Sequence, residues 1–263
     1  MKILTIIPAR YASTRFPGKP LALLGGKPVV RWVWERTTAL PGLTDAVVAT
    51  DDERIAEAVA AFGGRAMMTS DSHRSGTDRC GEVVRRLKAE GATYDVAINV
   101  QGDEPFVQPS QLQALADCFK DGDTCIATLK TRLRDNEELM SPNNVKVVCD
   151  RNGQALYFSR HPLPYQRGVE TACWAERYPY YKHVGIYAFR TSTLEELVKL
   201  PQSPLEVSES LEQLRWMENG YRIRVVETDM ANIGIDTPAD LAAAESYLLK
   251  NSVQNKIIVY EYN

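Results

Sequence analysis

Apolar residues in this chain gather in short runs, separated by longer stretches in which they recur every three or four positions. These are the periods of buried strands and amphipathic helices. Residues 3–8 (ILTIIP) predict a buried strand, and 28–40 (PVVRWVWERTTAL) a helix opened by Pro28. DAVVAT (45–50) predicts a second strand ending at Asp51 and Asp52, followed by a helix over 53–62 that Gly63 and Gly64 stop. RAMMT (65–69) reads as a weaker strand, 77–90 as a helix and YDVAINV (94–100) as a strand. This rhythm predicts a mostly parallel sheet covered on both faces. Sheets of that kind bind ligands beyond the carboxyl ends of their strands. The segment after residue 8, Asp51 and Gln101-Gly102-Asp103 therefore fall on one rim.

The second half is less regular. Strands are expected at 124–130, 144–150, 154–160, 183–189 and 221–227, and helices at 192–200, 205–219 and 237–250. Residues 160–182 are rich in Pro, Tyr and Arg and read as a long functional loop. No flexible linker and no internal repeat divides residues 1–250, which read as one domain. The tail 256–263 (KIIVYEYN) is open to three readings: an extra strand, a dimer contact or a non-native extension.

Charge narrows the partners. The 263 residues carry 31 basic and 34 acidic side chains, a net charge of -3. A nucleic-acid partner is not suggested, because backbone phosphates demand an excess of Lys and Arg on one face. The five cysteines are dispersed and form no C-x-x-C pair, as expected of reduced thiols. No signal-peptide pattern opens the chain, and no apolar run approaches the ~20 residues of a membrane helix. The expectation is a soluble cytoplasmic protein.

Against that acidic balance, IIPARYASTRFPGKP (6–20) stands out. Arg10, Arg15 and Lys19 follow a buried strand within ten residues, with Ser13 and Gly18 between them. Arg forks, a lysine point charge and approachable backbone amides can wrap a polyphosphate. A solvated surface turn is the plainer account, and the placement after a parallel strand favours the phosphate. No G-x-G-x-x-G occurs, and Gly26-Lys27 is followed by Pro28 rather than Ser or Thr, so neither a dinucleotide fingerprint nor a Walker A loop is present. NVQGDEPFV (99–107) delivers Asp103 from the end of a strand, either as a Mg²⁺ ligand or as part of an Asx turn completed by Pro105. In NIGIDTPADL (232–241), Asp236 is a good N-cap for the following helix and also a possible second ligand for the same metal. In HRSGTDR (73–79), Ser75 suits either a helix cap or an anion site. Neither Ser nor Cys sits in a pattern with a base, so no covalent nucleophile is expected.

PARYASTRFPGKPL, NVQGDEPF, LYFSR, HVGIYAFR, SPLEVSESLEQLR and GIDTPADL, in that order, resemble the 3-deoxy-manno-octulosonate cytidylyltransferase family, the CMP-Kdo synthetases, from residue 3 to about 249. The resemblance implies a three-layer α/β/α nucleotide-diphospho-sugar transferase fold, Rossmann-like, with a smaller mixed β part. It implies transfer of a cytidylyl group from CTP to Kdo with Mg²⁺, giving CMP-Kdo and pyrophosphate for lipopolysaccharide assembly. It implies that Arg10, Ser13, Arg15 and Lys19 hold the triphosphate, that Ser75, Arg79 and Gln101 help seat the cytidine, and that Asp103 and Asp236 bind the metal. It further implies that Arg160, His183, Tyr187, Glu212 and Gln213 line the sugar-acid pocket, and that residues of about 130–220 form a homodimer contact. ANIG (231–234) stands where P-G-T-G is more usual, residues 161–182 are variable in the family, and the tail after 250 lies outside its pattern. The same chemistry on 8-amino-Kdo or a sialic acid, and a non-catalytic nucleotide sensor, remain as alternatives.

Overall fold

The computed structural model describes residues 1–230 and 233–261, with only the backbone described for 251–261. The first half runs β1 (Ile3–Pro8), a two-residue hairpin β2 (Leu23–Leu24) and β3 (Lys27–Pro28), α1 (Val29–Thr38), β4 (Asp45–Thr50), α2 (Glu53–Ala61), β5 (Ala66–Met68), α3 (Gly76–Ala89), β6 (Val96–Asn99) and α4 (Pro109–Asp117). Next come β7 (Ile126–Arg132), α5 (Asn136–Met140), β8 (Lys146–Cys149), β9 (Ala155–Ser159), α6 (Trp174–Arg177) and β10 (Tyr181–Arg190). The chain closes with α7 (Thr191–Leu197), α8 (Pro204–Glu209), α9 (Glu212–Glu218), β11 (Ile223–Glu227) and α10 (Pro238–Glu261).

The main sheet runs β11-β7-β10-β6-β1-β4-β5, with β8 and β9 branching from β10. β6, β1, β4 and β5 are parallel, as are β7 and β11, while β10 runs against β6, β7 and β8. Alternation along each strand builds two cores. Ile3 and Ile7 of β1, Val48 of β4 and Ile98 of β6 face Val30, Val33, Ile55, Val59, Leu112 and Leu115 of α1, α2 and α4. Leu4, Ile6, Val47 and Ala97 face the other way, toward Cys80, Val83, Leu87, Leu194, Leu214 and Trp216 of α3, α7 and α9. Three layers therefore follow from a period of two in the strands and 3.6 in the helices. A smaller cluster of Leu24, Val29, Phe106, Ile235 and Ala244 fixes α10 onto the β2–β3 hairpin and the loop after β6.

The structure departs from the sequence expectation at several places. The predicted helix over 205–219 is two helices, broken at Ser210, whose φ of 52° is left-handed. The buried Arg215 guanidinium grips the Glu206 carboxylate across that break, donating from Nε to Oε2 at 2.7 Å. The stretch 160–182 is not wholly loop, since it contains α6 and the first residues of β10. Helix α4 was not expected. The tail is helical in its backbone through Glu261, so the strand reading of 256–261 is not realised. ANIG lies partly outside the described residues, at 231–232.

The ends of β1 and β6 approach so closely that Gly102 is required there. Its amide donates to the Pro8 carbonyl at 3.1 Å, and a Cβ at 102 would stand 2.8 Å from that same oxygen. Gly102→Ala should cost about 1–3 kcal/mol, the usual range for overpacking. Calorimetry should record a fall of several degrees in Tm, and an unchanged Tm would contradict this close approach.

Candidate active site

The loop after β1 folds back on itself. The Tyr11 carbonyl accepts from the amides of both Ser13 and Gly18, at 3.0 and 2.9 Å. Gly18 has a φ of 72° and starts a single 3₁₀ turn over Lys19–Leu21, a backbone conformation that only glycine adopts cheaply. The Arg54 guanidinium lies 3.3 Å from the centre of the Tyr11 ring and also bonds Asp52, so the loop is pinned to the start of α2. The result is a cavity of about 400 Å³ on the carboxyl rim of the parallel strands, lined by Arg10, Ser13, Arg15, Lys19, Arg79 and Gln101 together with Asp103 and Asp236. Arg10 is exposed on its rim and has no hydrogen-bond or ion-pair partner among the described residues.

Lys19 joins the two aspartates. Its ammonium donates to Asp103 Oδ2 and to Asp236 Oδ1, the latter at 3.1 Å, and Arg15 reaches Asp236 Oδ2 at 3.0 Å. Burial acts to lower the Lys19 ammonium, but the charges and hydrogen bonds of Asp103 and Asp236 outweigh it and hold it above the ordinary lysine value. A backbone bond from the Ile235 amide to the Asp103 carbonyl, at 2.9 Å, locks the two loops together. Two carboxylates within reach of one nitrogen can share one cation. Among the described residues no third acidic, His or Cys ligand joins them. That set suits Mg²⁺, which takes one or two carboxylates and completes its shell with phosphate oxygens and water.

The capping role offered for Asp236 belongs to its neighbours. Thr237 Oγ1 accepts from the Asp240 amide at 3.2 Å, and Asp240 Oδ2 accepts from the amides of Thr237 and Asp236 at 2.8 and 3.0 Å. This reciprocal cap satisfies the start of α10 and leaves the Asp236 carboxylate free to face the cavity.

Arg79, fully buried, connects two strand ends, those of β4 and β5, to the cavity. Its guanidinium donates to Asp51 Oδ2 at 2.8 Å and to the Thr69 hydroxyl, while its Nε has no partner among the described residues. Gln101 donates to Asn99 at 3.1 Å. Ser75 is placed differently from the cytidine-seating role: it caps α3 through the Asp78 amide and donates to Glu212 Oε1 at 2.9 Å. Thr77 donates to Glu212 Oε2 at 2.7 Å, and burial raises the Glu212 carboxyl despite these bonds.

A second cavity, of about 680 Å³, adjoins the first and shares Arg15 and Asp236 with it. Arg160 and His183 line it, whereas Tyr187, Glu212 and Gln213 do not. Tyr187 and Gln213 are buried, the Tyr187 ring 5.2 Å from that of His183. Burial pushes the Tyr187 phenol up. Desolvation pushes the His183 imidazole down to about 3, so it is neutral, and its Nε2 lies 2.9 Å from Thr128 Oγ1. The Arg160 guanidinium spends its bonds on carbonyls alone: Glu209 at 2.7 Å, Pro142 at 3.0 Å and Ser210 at 3.3 Å. Its charge is therefore not neutralised by a direct ion pair. Lys182 and Arg132 also line this cavity and had no signal in the sequence beyond being basic residues on or beside a predicted strand.

Comparison with known proteins identifies the family. The cytidylyltransferase family profile matches residues 4–223. A 3-deoxy-manno-octulosonate cytidylyltransferase of Bacteroides thetaiotaomicron is 54% identical over 255 residues, 96% of this chain and 100% of that relative. One from Phocaeicola vulgatus is 56% identical over 251 residues, 94% of this chain and 98% of the relative. A solved CMP:2-keto-3-deoxy-manno-octonic acid synthetase complexed with CTP superposes with a TM-score of 0.87 at 43% identity, covering 95% of this chain and all of that one. The chain belongs to the cytidylyltransferases, and within them to the 3-deoxy-manno-octulosonate cytidylyltransferase family.

Proposed function

We propose that the first cavity holds CTP, that the second holds Kdo, and that the chain joins them into CMP-Kdo with release of pyrophosphate. The observation that carries this reading is the Lys19 ammonium between Asp103 and Asp236, at the junction of a cation-rich cavity with an adjoining one. The anomeric hydroxyl of the sugar attacks the α-phosphorus, forming a new P–O bond as the bond to the β-phosphate oxygen breaks. Charge accumulates on the α-phosphoryl oxygens and on the departing pyrophosphate, and preorganised cations stabilise it most effectively in a site shielded from water. Arg10, Arg15 and Lys19 surround the space a triphosphate would fill. Asp103 and Asp236 would hold Mg²⁺, which when bound would neutralise phosphate charge and orient the phosphates for in-line displacement. Arg79 anchors the strand ends beneath the nucleotide, and Arg160 offers an unneutralised charge to the sugar carboxylate.

The product would feed lipopolysaccharide assembly, and a reaction that consumes CTP would run in the cytoplasm. A homodimer through the β8–β9 and α8 region is part of the same proposal, supported by exposed Leu156 and Val207, 60% and 63% accessible.

Pyrophosphate release with CTP and Mg²⁺ tests this reading when Kdo, 8-amino-Kdo and a sialic acid are supplied in turn. Release with Kdo is expected. Release with another acid alone would reassign the substrate, and none with any acid would favour a nucleotide sensor. Asp103→Asn should lower turnover by at least about 100-fold, roughly 2.7 kcal/mol of barrier, with an unchanged far-UV spectrum. Lys19→Ala should cost about as much, because it removes a cation beside developing charge. Near-normal turnover in either variant would refute the role given to that residue.

A further inference from the structure

The adjoining cavity contains a cation that the fold does not use. Lys182 of β10 is half-buried and lines this cavity, yet its ammonium has no hydrogen-bond or ion-pair partner among the described residues. The sheet places it in a polar row. Lys182 lies directly opposite Thr131 of β7 on one side and Lys146 of β8 on the other, and Lys146 in turn lies opposite Ser159 of β9. Residues directly opposite in antiparallel strands share a face, and like charges so placed destabilise the pair. Lys146 is completely buried and turns its ammonium to the Ser141 carbonyl at 2.9 Å. Lys182 is left beside it without a counter-charge. The Pro142 carbonyl next to Ser141 accepts from Arg160, whose guanidinium also lacks a carboxylate. Four acidic residues line this cavity, Glu104, Glu138, Asp236 and Asp240, and none of them pairs with Lys182: Asp236 is taken by Lys19 and Arg15, and Asp240 by the amides at the start of α10.

Arg160, Lys182 and Arg132, whose guanidinium bonds only the Tyr178 carbonyl, are cations without a carboxylate in this cavity, and beside a neutral imidazole they describe a receptor for a small anion. We propose that Lys182 is a further acceptor-binding residue, which pairs with the carboxylate of the sugar acid and selects an anionic acceptor over a neutral one. This rests on the transfer reading above. Arg160 and Lys182 then hold the acid from two strands, β9's end and β10, and the substrate supplies the counter-charge that Lys182 lacks.

The test compares Kdo with its neutral carboxamide as acceptors, using wild-type enzyme, Lys182→Gln and Lys182→Arg, with CTP, Mg²⁺ and pyrophosphate release as the readout. Lys182→Gln should raise KM for Kdo by about 10-fold or more, the worth of a charge-assisted hydrogen bond, with KM for CTP unchanged. It should also shrink the preference for acid over amide, which Lys182→Arg should largely restore. A glutamine variant that keeps the full wild-type preference overturns the assignment. If that variant does not fold, Lys182→Met, of similar length and apolar, takes its place under the same criterion. A wild-type enzyme that uses no sugar acid at all sinks the transfer reading itself, and the lysine assignment with it; active wild type with an unaltered preference in the variant sinks the lysine assignment alone.

Discussion

A single ammonium holds together two acidic loops that the chain brings from distant sequence. Asp103 and Asp236 would repel one another at this separation without a cation between them, and Lys19 supplies it. The fold makes the juxtaposition unavoidable. Gly102 brings the end of β6 against β1, the Ile235 amide ties the later loop to Asp103, and the cluster under α10 seals both. The order in which charges are met then follows from topology alone. The first cavity receives the basic loop after β1, and the adjoining one receives β10 and the end of β9, because β10 runs antiparallel beside β6 and reaches the same rim from the other direction.

Most of the fold was legible because burial on both faces of a parallel sheet leaves continuous apolar runs. ILTIIP and DAVVAT could hardly be anything but strands, and both cores can be read from alternate residues within them. The failures have physical causes. PSQLQALAD carries few large apolar residues, so its helical face, Leu112, Leu115 and Ala116, gives only a weak periodic signal among its polar positions. The break at Ser210 is invisible to periodicity, since α8 and α9 each keep a helical pattern and only a buried Arg215–Glu206 bond records the bend.

Within the site, residues whose role depends on a loop following a strand were legible: Arg10, Arg15, Lys19, Gln101 and Asp103 all line the first cavity. Roles that depend on side-chain direction were not. Asp236 was read both as a cap and as a metal ligand, and the coordinates decide against the cap: Thr237 and Asp240 cap the helix, and Asp236 lines the first cavity. Ser75 and Glu212 were expected on opposite substrates but bond each other, joining the start of α3 to α9. Glu212 thus ties the start of α3 to α9, a contact no linear motif can express. Lys182 was passed over because a lysine beside a histidine on a strand is ordinary; its lack of a partner is a property of three dimensions.

The two cavities meet at Arg15 and Asp236, and this junction constrains the chemistry more than any single side chain. An in-line displacement needs the attacking hydroxyl, the α-phosphorus and the leaving oxygen nearly collinear. A nucleotide in the first cavity and an acceptor in the second can meet that condition only if the α-phosphorus lies at the shared wall. The attacking group then comes from the β10 side and the pyrophosphate departs toward Arg10 and Lys19. Both reactants are anions, so each half needs its own positive charge, and a protein of net charge -3 must concentrate it locally. It does so with few residues: the basic loop after β1 on one side, Arg160 and Lys182 on the other, and Arg15 between them. An uncharged acceptor would leave the second set, half-buried, without a counter-ion, and on the proposed reading the acceptor side, and not only the nucleotide side, would favour an acid.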